Sequence, residues 1–232
     1  MAEKSSKSLE NRLYDRWRNA EVLINNDDLV LFQGDSITDT SRDRVNDSLG
    51  TGYAYITASL FSSLYPHKKV RFVNRGISGN RVRDLEERWD RDCLDLQPDV
   101  LSIMIGINDC WKRFSQNDPT STDSYQSGYR RLLERVRTEL PDTKLILLEP
   151  FVLPTLPEQQ AWREDLDPKI QAVRELAREF EAVYVPLDGL FAAAAARREP
   201  AFWAPDGVHP SPAGHGLIAR AWLQAAGANL GG

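Results

Sequence analysis

The sequence has 232 residues, 34 of them acidic and 29 basic, with a formal net charge of −5. That length suits one α/β domain with a full core. The acidic excess argues against a nucleic-acid partner, because phosphates need a basic patch, and against an anionic membrane surface. The start, MAEKSSKSLENR, lacks the apolar core of a signal peptide, and no apolar run approaches a membrane span. A cytoplasmic protein is expected, with secretion of a processed form as the alternative. The two cysteines, Cys93 and Cys110, make neither a disulfide framework nor a zinc spacing and read as buried small apolar residues.

In chain order, Leu9, Leu13, Trp17, Ala20 and Leu23 recur at helical spacing, which predicts a helix from about Ser8 to Ile24. It would form an extension over residues 1–27, ahead of a domain at 28–232. A helix of that length is marginal alone and must dock, on its own domain or across a symmetric interface; a homo-oligomer is expected. Strands are predicted at Leu29–Gln33, Val70–Asn74, Val100–Ile105, Lys144–Leu148 and Ala182–Pro186, most of them nearly continuous apolar runs, as in strands covered on both faces. Helices are predicted at Tyr53–Tyr65, Val82–Leu94, Tyr125–Leu140, Glu158–Phe180 and Pro212–Ala226, the last with Ser211 as N-cap and Pro212 at the first helical position. The alanine run at 192–198 reads as helix. Alternation on this scale implies a parallel sheet with helices on both faces.

Four short motifs carry chemistry-bearing residues. Gly34-Asp35-Ser36 follows the first strand and places a serine at the carboxyl edge of the sheet, where ligands bind in open α/β folds; a serine-capped turn is the plainer reading. Asn74-Arg75-Gly76-Ile77-Ser78-Gly79-Asn80 follows the second strand, and its glycines leave backbone N–H groups bare, as an oxyanion hole requires, or simply turn the chain. Gly106-Ile107-Asn108-Asp109 follows the third strand; Asn108 is an oxyanion donor or a helix cap. Asp206-Gly207-Val208-His209 precedes the last helix, and an Asp three residues before a His can orient its ring. Each signal is weak alone. Their common placement brings all four to one edge of one sheet.

GDSITD, NRGISGN, GIND and DGVHPS, in this order, resemble the four blocks of the SGNH (GDSL-like) hydrolase superfamily, across residues 28 to 226. The resemblance implies a three-layer α/β/α sandwich with a five-stranded parallel, flavodoxin-like sheet. It makes Ser36 the nucleophile, with His209 as base and Asp206 as its partner. The backbone N–H groups of Ser36 and Gly79 and the side chain of Asn108 become the oxyanion hole. No metal and no cofactor is implied. GTGY, VNRGISGNRVRDLEERW, SIMIGINDCW and VHPSPAGH further resemble the bacterial acetylxylan-esterase-type branch, which removes acetyl groups from sugars and xylo-oligosaccharides. Trp111 and Trp203, beside the third and fourth motifs, are candidate sugar-facing rings; Trp17, Trp89, Trp162 and Trp222 read as core or interface. The alternatives are a lysophospholipase- or thioesterase-type acylhydrolase, or a non-catalytic carbohydrate-binding protein.

Overall fold

The computed structural model describes residues 22–230. Five strands, β1 (Leu29–Gly34), β2 (Arg71–Asn74), β3 (Val100–Met104), β4 (Lys144–Leu148) and β5 (Val183–Val185), form one parallel sheet in the order β2-β1-β3-β4-β5. Side chains alternate between its faces. Val30 and Phe32 of β1, Val100 and Met104 of β3, and Ile146 and Leu148 of β4 enter one apolar cluster. Leu29 and Leu31, Leu101 and Ile103, and Leu145 and Leu147 enter the other. A strand buried on both sides has no polar positions to alternate with, so its sequence is nearly unbroken hydrocarbon.

On the first face lie α2 (Tyr53–Leu64), α8 (Leu187–Ala195) and α10 (Pro212–Ala225). Trp222 of α10 is fully buried there, and its indole N–H donates to Ser102 Oγ of β3 (2.9 Å), which satisfies two polar atoms inside the sheet. On the opposite face lie α3 (Val82–Glu87), α4 (Trp89–Asp92) and α6 (Thr122–Glu139), with Tyr129, Leu132, Leu133 and Val136 forming the stripe expected from their spacing. Shorter or later elements complete the chain: α1 (Ser36–Asp39), α5 (Ile107–Gln116), α7 (Arg163–Glu179) and α9 (Pro200–Trp203).

Three expectations need correction. The helix predicted over Val82–Leu94 is broken at Arg88. Arg88 leaves helical geometry and turns its guanidinium inward to Asn80 Oδ1 (2.8 Å), Gln33 Oε1 (3.0 Å), the Arg75 carbonyl (2.8 Å) and Asp92 (3.1 Å). Burying that charge requires partners of this kind, and gaining them favours the break over a continuous helix. The helix predicted over Glu158–Phe180 starts as a 3-10 turn, Pro157–Trp162, and becomes α-helical at Arg163. The helix predicted from Ser8 does not reach Ile24. Residues 22–24 are irregular, Leu23 N–H donates to the Ala226 carbonyl (2.8 Å), and Ile24 is fully buried in the core. The rest of that helix, including Trp17, lies outside the described residues. Cys93 and Cys110 are both buried, and burial pushes their thiols far above the ordinary range.

Candidate active site

The carboxyl ends of β1, β2 and β3 each feed a short loop, and the three loops meet. Asp35 is the N-cap of α1: its buried carboxylate accepts the Ile37 N–H (3.0 Å), which starts a helix at Ser36 and leaves the Ser36 N–H without an acceptor among the described residues. Opposite it, the loop between α9 and α10 brings in Asp206 and His209. Asp206 Oδ1 accepts the N–H groups of Val208 (2.9 Å) and His209 (2.7 Å), folding the loop on itself. Its Oδ2 lies 2.6 Å from His209 Nδ1, and His209 Nε2 lies 2.9 Å from Ser36 Oγ. An ionised Asp206 holds the proton on Nδ1, so Nε2 presents its lone pair to the Ser36 hydroxyl.

The charges agree with that tautomer. Burial would raise Asp206, but hydrogen bonds from His209 and Val208 prevail and hold it at about 2. His209 is raised above its ordinary value by the Asp206 hydrogen bond against the opposing effect of burial, with Asp35 adding to the rise. Asp35 itself is pushed up to about 7 by burial, against the lowering effect of the Ile37 N–H.

The groups expected as oxyanion donors are brought together by ties between loops. The Ile77 N–H donates to the Gly34 carbonyl (3.1 Å), and Ser78 donates from both N–H (3.0 Å) and Oγ (3.1 Å) to Asp39 Oδ2 of α1. Gly79 then adopts φ +82, a left-handed conformation that L side chains rarely adopt; space is not the constraint, since a Cβ there would meet nothing within 4 Å. Its N–H has no protein acceptor among the described residues. Asn108, in the first turn of α5, donates through Nδ2 to the Asn80 carbonyl (3.1 Å), which uses one of two amide hydrogens and anchors the group beside Gly79. Next to it, buried Asp109 accepts the Val82 N–H (3.3 Å) and locks the start of α3 to the same corner. Asn108→Ala is expected to lower kcat by about two to three powers of ten and change KM little, since an oxyanion donor acts mainly in the transition state. Steady-state kinetics checks this; a rise in KM alone would make Asn108 a ground-state binding group.

A cavity of about 300 Å³ opens beside Ser36, lined by Ile37, Thr40, Ser41, Ser78, His209 and His215 among others. Ser41, Ser78 and His215 are site residues that motif reading did not assign. A larger cleft of about 610 Å³, lined by Arg174, Arg178 and Tyr184, lies away from this chemistry. Of the two candidate tryptophans, Trp111 packs its ring on His209 (centroids 5.8 Å) and on Trp162 (5.6 Å). Trp203 is not brought to the cavity: its indole N–H donates to the Arg198 carbonyl (3.2 Å), its ring packs edge-on against Phe202, and its carbonyl accepts the Ser211 N–H just ahead of α10. Trp89 and Trp222 are core, as expected.

Because His209 must be neutral to accept a proton, activity is expected to rise with pH through one ionisation and then level off. Asp206 stabilises the protonated ring, so the midpoint lies above the ordinary value of 6.5. A kcat/KM profile that peaked near pH 4 would remove His209 from the role.

The description of the GDSL-like lipase/acylhydrolase family matches residues 32–217. An acetylxylan esterase of Geobacillus stearothermophilus is 38% identical over 213 residues, 88% of this chain and 96% of that protein. Its crystal structure superposes with a TM-score of 0.82 at 37% identity, covering 89% of this chain and 97% of that one. Solved catalytic variants of that enzyme replace a serine, an aspartate and a histidine, the last two three positions apart. A protein from Parabacteroides merdae described as a GDSL-like lipase superposes with a TM-score of 0.86 at 38% identity, covering 89% of this chain and 99% of the other. With this match along most of its length, and the five-stranded parallel α/β fold that goes with it, the chain belongs to the GDSL-like lipase/acylhydrolase family and is a carboxylic ester hydrolase.

Proposed function

We propose that this chain is an acetyl esterase that removes acetyl groups from sugars or xylo-oligosaccharides by a two-step acyl-enzyme mechanism. The observation that carries the reading is the continuous chain from Ser36 Oγ to His209 Nε2 (2.9 Å) and from His209 Nδ1 to Asp206 Oδ2 (2.6 Å). Asp206 and His209 also keep the three-residue spacing of the catalytic pair replaced in the Geobacillus enzyme. Ser36 Oγ attacks the ester carbonyl as its proton passes to His209 Nε2, and the C–O double bond becomes an oxyanion. The N–H groups of Ser36 and Gly79 and the Asn108 amide receive that charge. Collapse expels the alcohol, which takes the proton from His209 and leaves acetyl-Ser36. Water then attacks in the same way, with His209 again as base, and releases acetate.

A small acyl group and a polar alcohol suit a cavity of about 300 Å³ lined by Thr40, Ser41 and Ser78 along with Ile37 and Pro210. Trp111, against His209, offers an aromatic face at the edge. Acetate release from acetylated xylo-oligosaccharides, run beside p-nitrophenyl acetate and p-nitrophenyl octanoate, is the test. Turnover of the oligosaccharide and the short ester is expected. Preference for the octanoate would make the protein a lipase-like acylhydrolase instead.

A further inference from the structure

His215 is the second histidine of the cavity and has no place in the proton relay. It stands in the first turn of α10, its N–H donating to the carbonyl of the N-cap Ser211 (2.8 Å). Its ring is held from two sides. Nδ1 accepts the backbone N–H of Tyr53 (3.1 Å), the first residue of α2 and one of the donors a helix start leaves unpaired. Gly52 admits the ring closely: a Cβ there would lie 2.9 Å from His215 Cε1 and 2.5 Å from Thr40 Oγ1.

This arrangement decides the tautomer. A backbone N–H can only donate, so Nδ1 carries no proton and the neutral ring bears its hydrogen on Nε2. Protonating Nδ1 would set N–H against N–H. Burial, helped by the neighbouring His209, pushes His215 down to about 4, so the ring stays neutral wherever His209 works as a base. The Nε2–H has no acceptor among the described residues, and the atom is not sealed away from solvent. The ring lines the cavity beside Ser36. Two hydroxyls beside it already have their hydrogens committed, Thr40 Oγ1 to the Ile37 carbonyl (2.8 Å) and Ser78 Oγ to Asp39 (3.1 Å), which leaves those two oxygens as acceptors. On this side of the cavity the ring holds a fixed donor beside the Thr40 and Ser78 acceptors, a pattern that a polyol satisfies and an alkyl chain does not.

We propose that His215 is a specificity-determining residue whose Nε2–H binds a hydroxyl oxygen on the alcohol half of the ester, selecting polyhydroxylated alcohols over plain ones. The alcohol half is indicated because its leaving oxygen must take a proton from His209, which shares this cavity with His215; an acetyl methyl offers no acceptor. The inference rests on the acyl-transfer reading given above.

The test compares glycerol monoacetate with ethyl acetate, which share the acyl group and differ in the hydroxyls of the alcohol. In His215→Asn the short amide can still cap Tyr53 and supplies no donor at the Nε2 position. In His215→Gln the longer amide reaches that position. The ratio of kcat/KM for glycerol monoacetate over ethyl acetate is expected to fall about tenfold in H215N, mainly through KM, and to recover in H215Q. An unchanged ratio in H215N, or an equal fall in H215Q, would overturn the assignment. Should H215N fail to fold, the full chain carrying Ser36→Ala and nitrogen-15 histidine replaces it: glycerol monoacetate is expected to shift the His215 Nε2 resonance, and an unmoved resonance would overturn the assignment equally. Inactivity on acetylated xylo-oligosaccharides would remove the substrate reading without altering this ratio.

Discussion

Replacing Ser36 with alanine is expected to reduce kcat/KM for p-nitrophenyl acetate by about four powers of ten or more while leaving the melting temperature nearly unchanged. In the proposed mechanism the hydroxyl is the attacking atom, and without it the three proposed oxyanion donors have no intermediate to hold. The fold should tolerate the change because Ser36 Oγ makes one hydrogen bond, to His209, and the start of α1 is fixed instead by Asp35. Circular dichroism would establish the fold and steady-state kinetics the loss. Retention of a tenth of the activity would show that another group attacks.

Asp206→Asn is expected to cost about 10⁴ in kcat, for a different reason. The amide has nearly the shape of the carboxylate, and its oxygen can still accept the N–H groups of Val208 and His209, so the loop should hold. Its NH2 would face His209 Nδ1 with a donor, forcing the ring proton onto Nε2, where it blocks acceptance from Ser36. The charge that raises His209 is also gone, so the pH midpoint of any residual activity should move down toward or below the ordinary imidazole value. Activity within tenfold of the parent protein, with the midpoint unmoved, would show that Asp206 does not orient the base.

What could be read in the sequence followed the distance over which each feature is determined. Strands β1, β3 and β4 declared themselves because burial on both faces makes strands that are mostly apolar, residues 29–32 in β1, Val100–Met104 around Ser102 in β3 and residues 145–148 in β4. Ser36, Asp206 and His209 were legible because each sits in a local motif beside a strand end or a helix start, and parallel topology alone sends those ends to one edge. The break at Arg88 was not legible, since its cause is a set of partners on β1 and the loop after β2. Helix α5 is not among the predicted helices although Ile107, Cys110, Trp111 and Phe114 recur at helical spacing; the stripe spans only two turns and overlaps the Gly106-Ile107-Asn108-Asp109 motif, which is read for its chemistry. The helix predicted over Pro212–Ala226 places His215 in its first turn and says no more of it. What makes it a cavity residue is a bond to Tyr53, 162 positions away in the chain. The signal that was present is the tight spacing of HPSPAGH, in which Ser211 and Pro212 start a helix and put the next histidine on its first turn, back beside His209.

The most direct test of a Ser36 acyl-enzyme is covalent labelling with diethyl p-nitrophenyl phosphate followed by peptide mapping. The reagent phosphorylates an activated serine and stops there, so it reports which hydroxyl the base activates. Ser36, Ser41 and Ser78 all line the cavity, yet only Ser36 is bonded to His209. The expected result is one phosphoryl group per chain, on Ser36, with activity lost in proportion and labelling abolished by His209→Ala. A label on Ser41 or Ser78, or full activity in the protein labelled on Ser36, would contradict the mechanism.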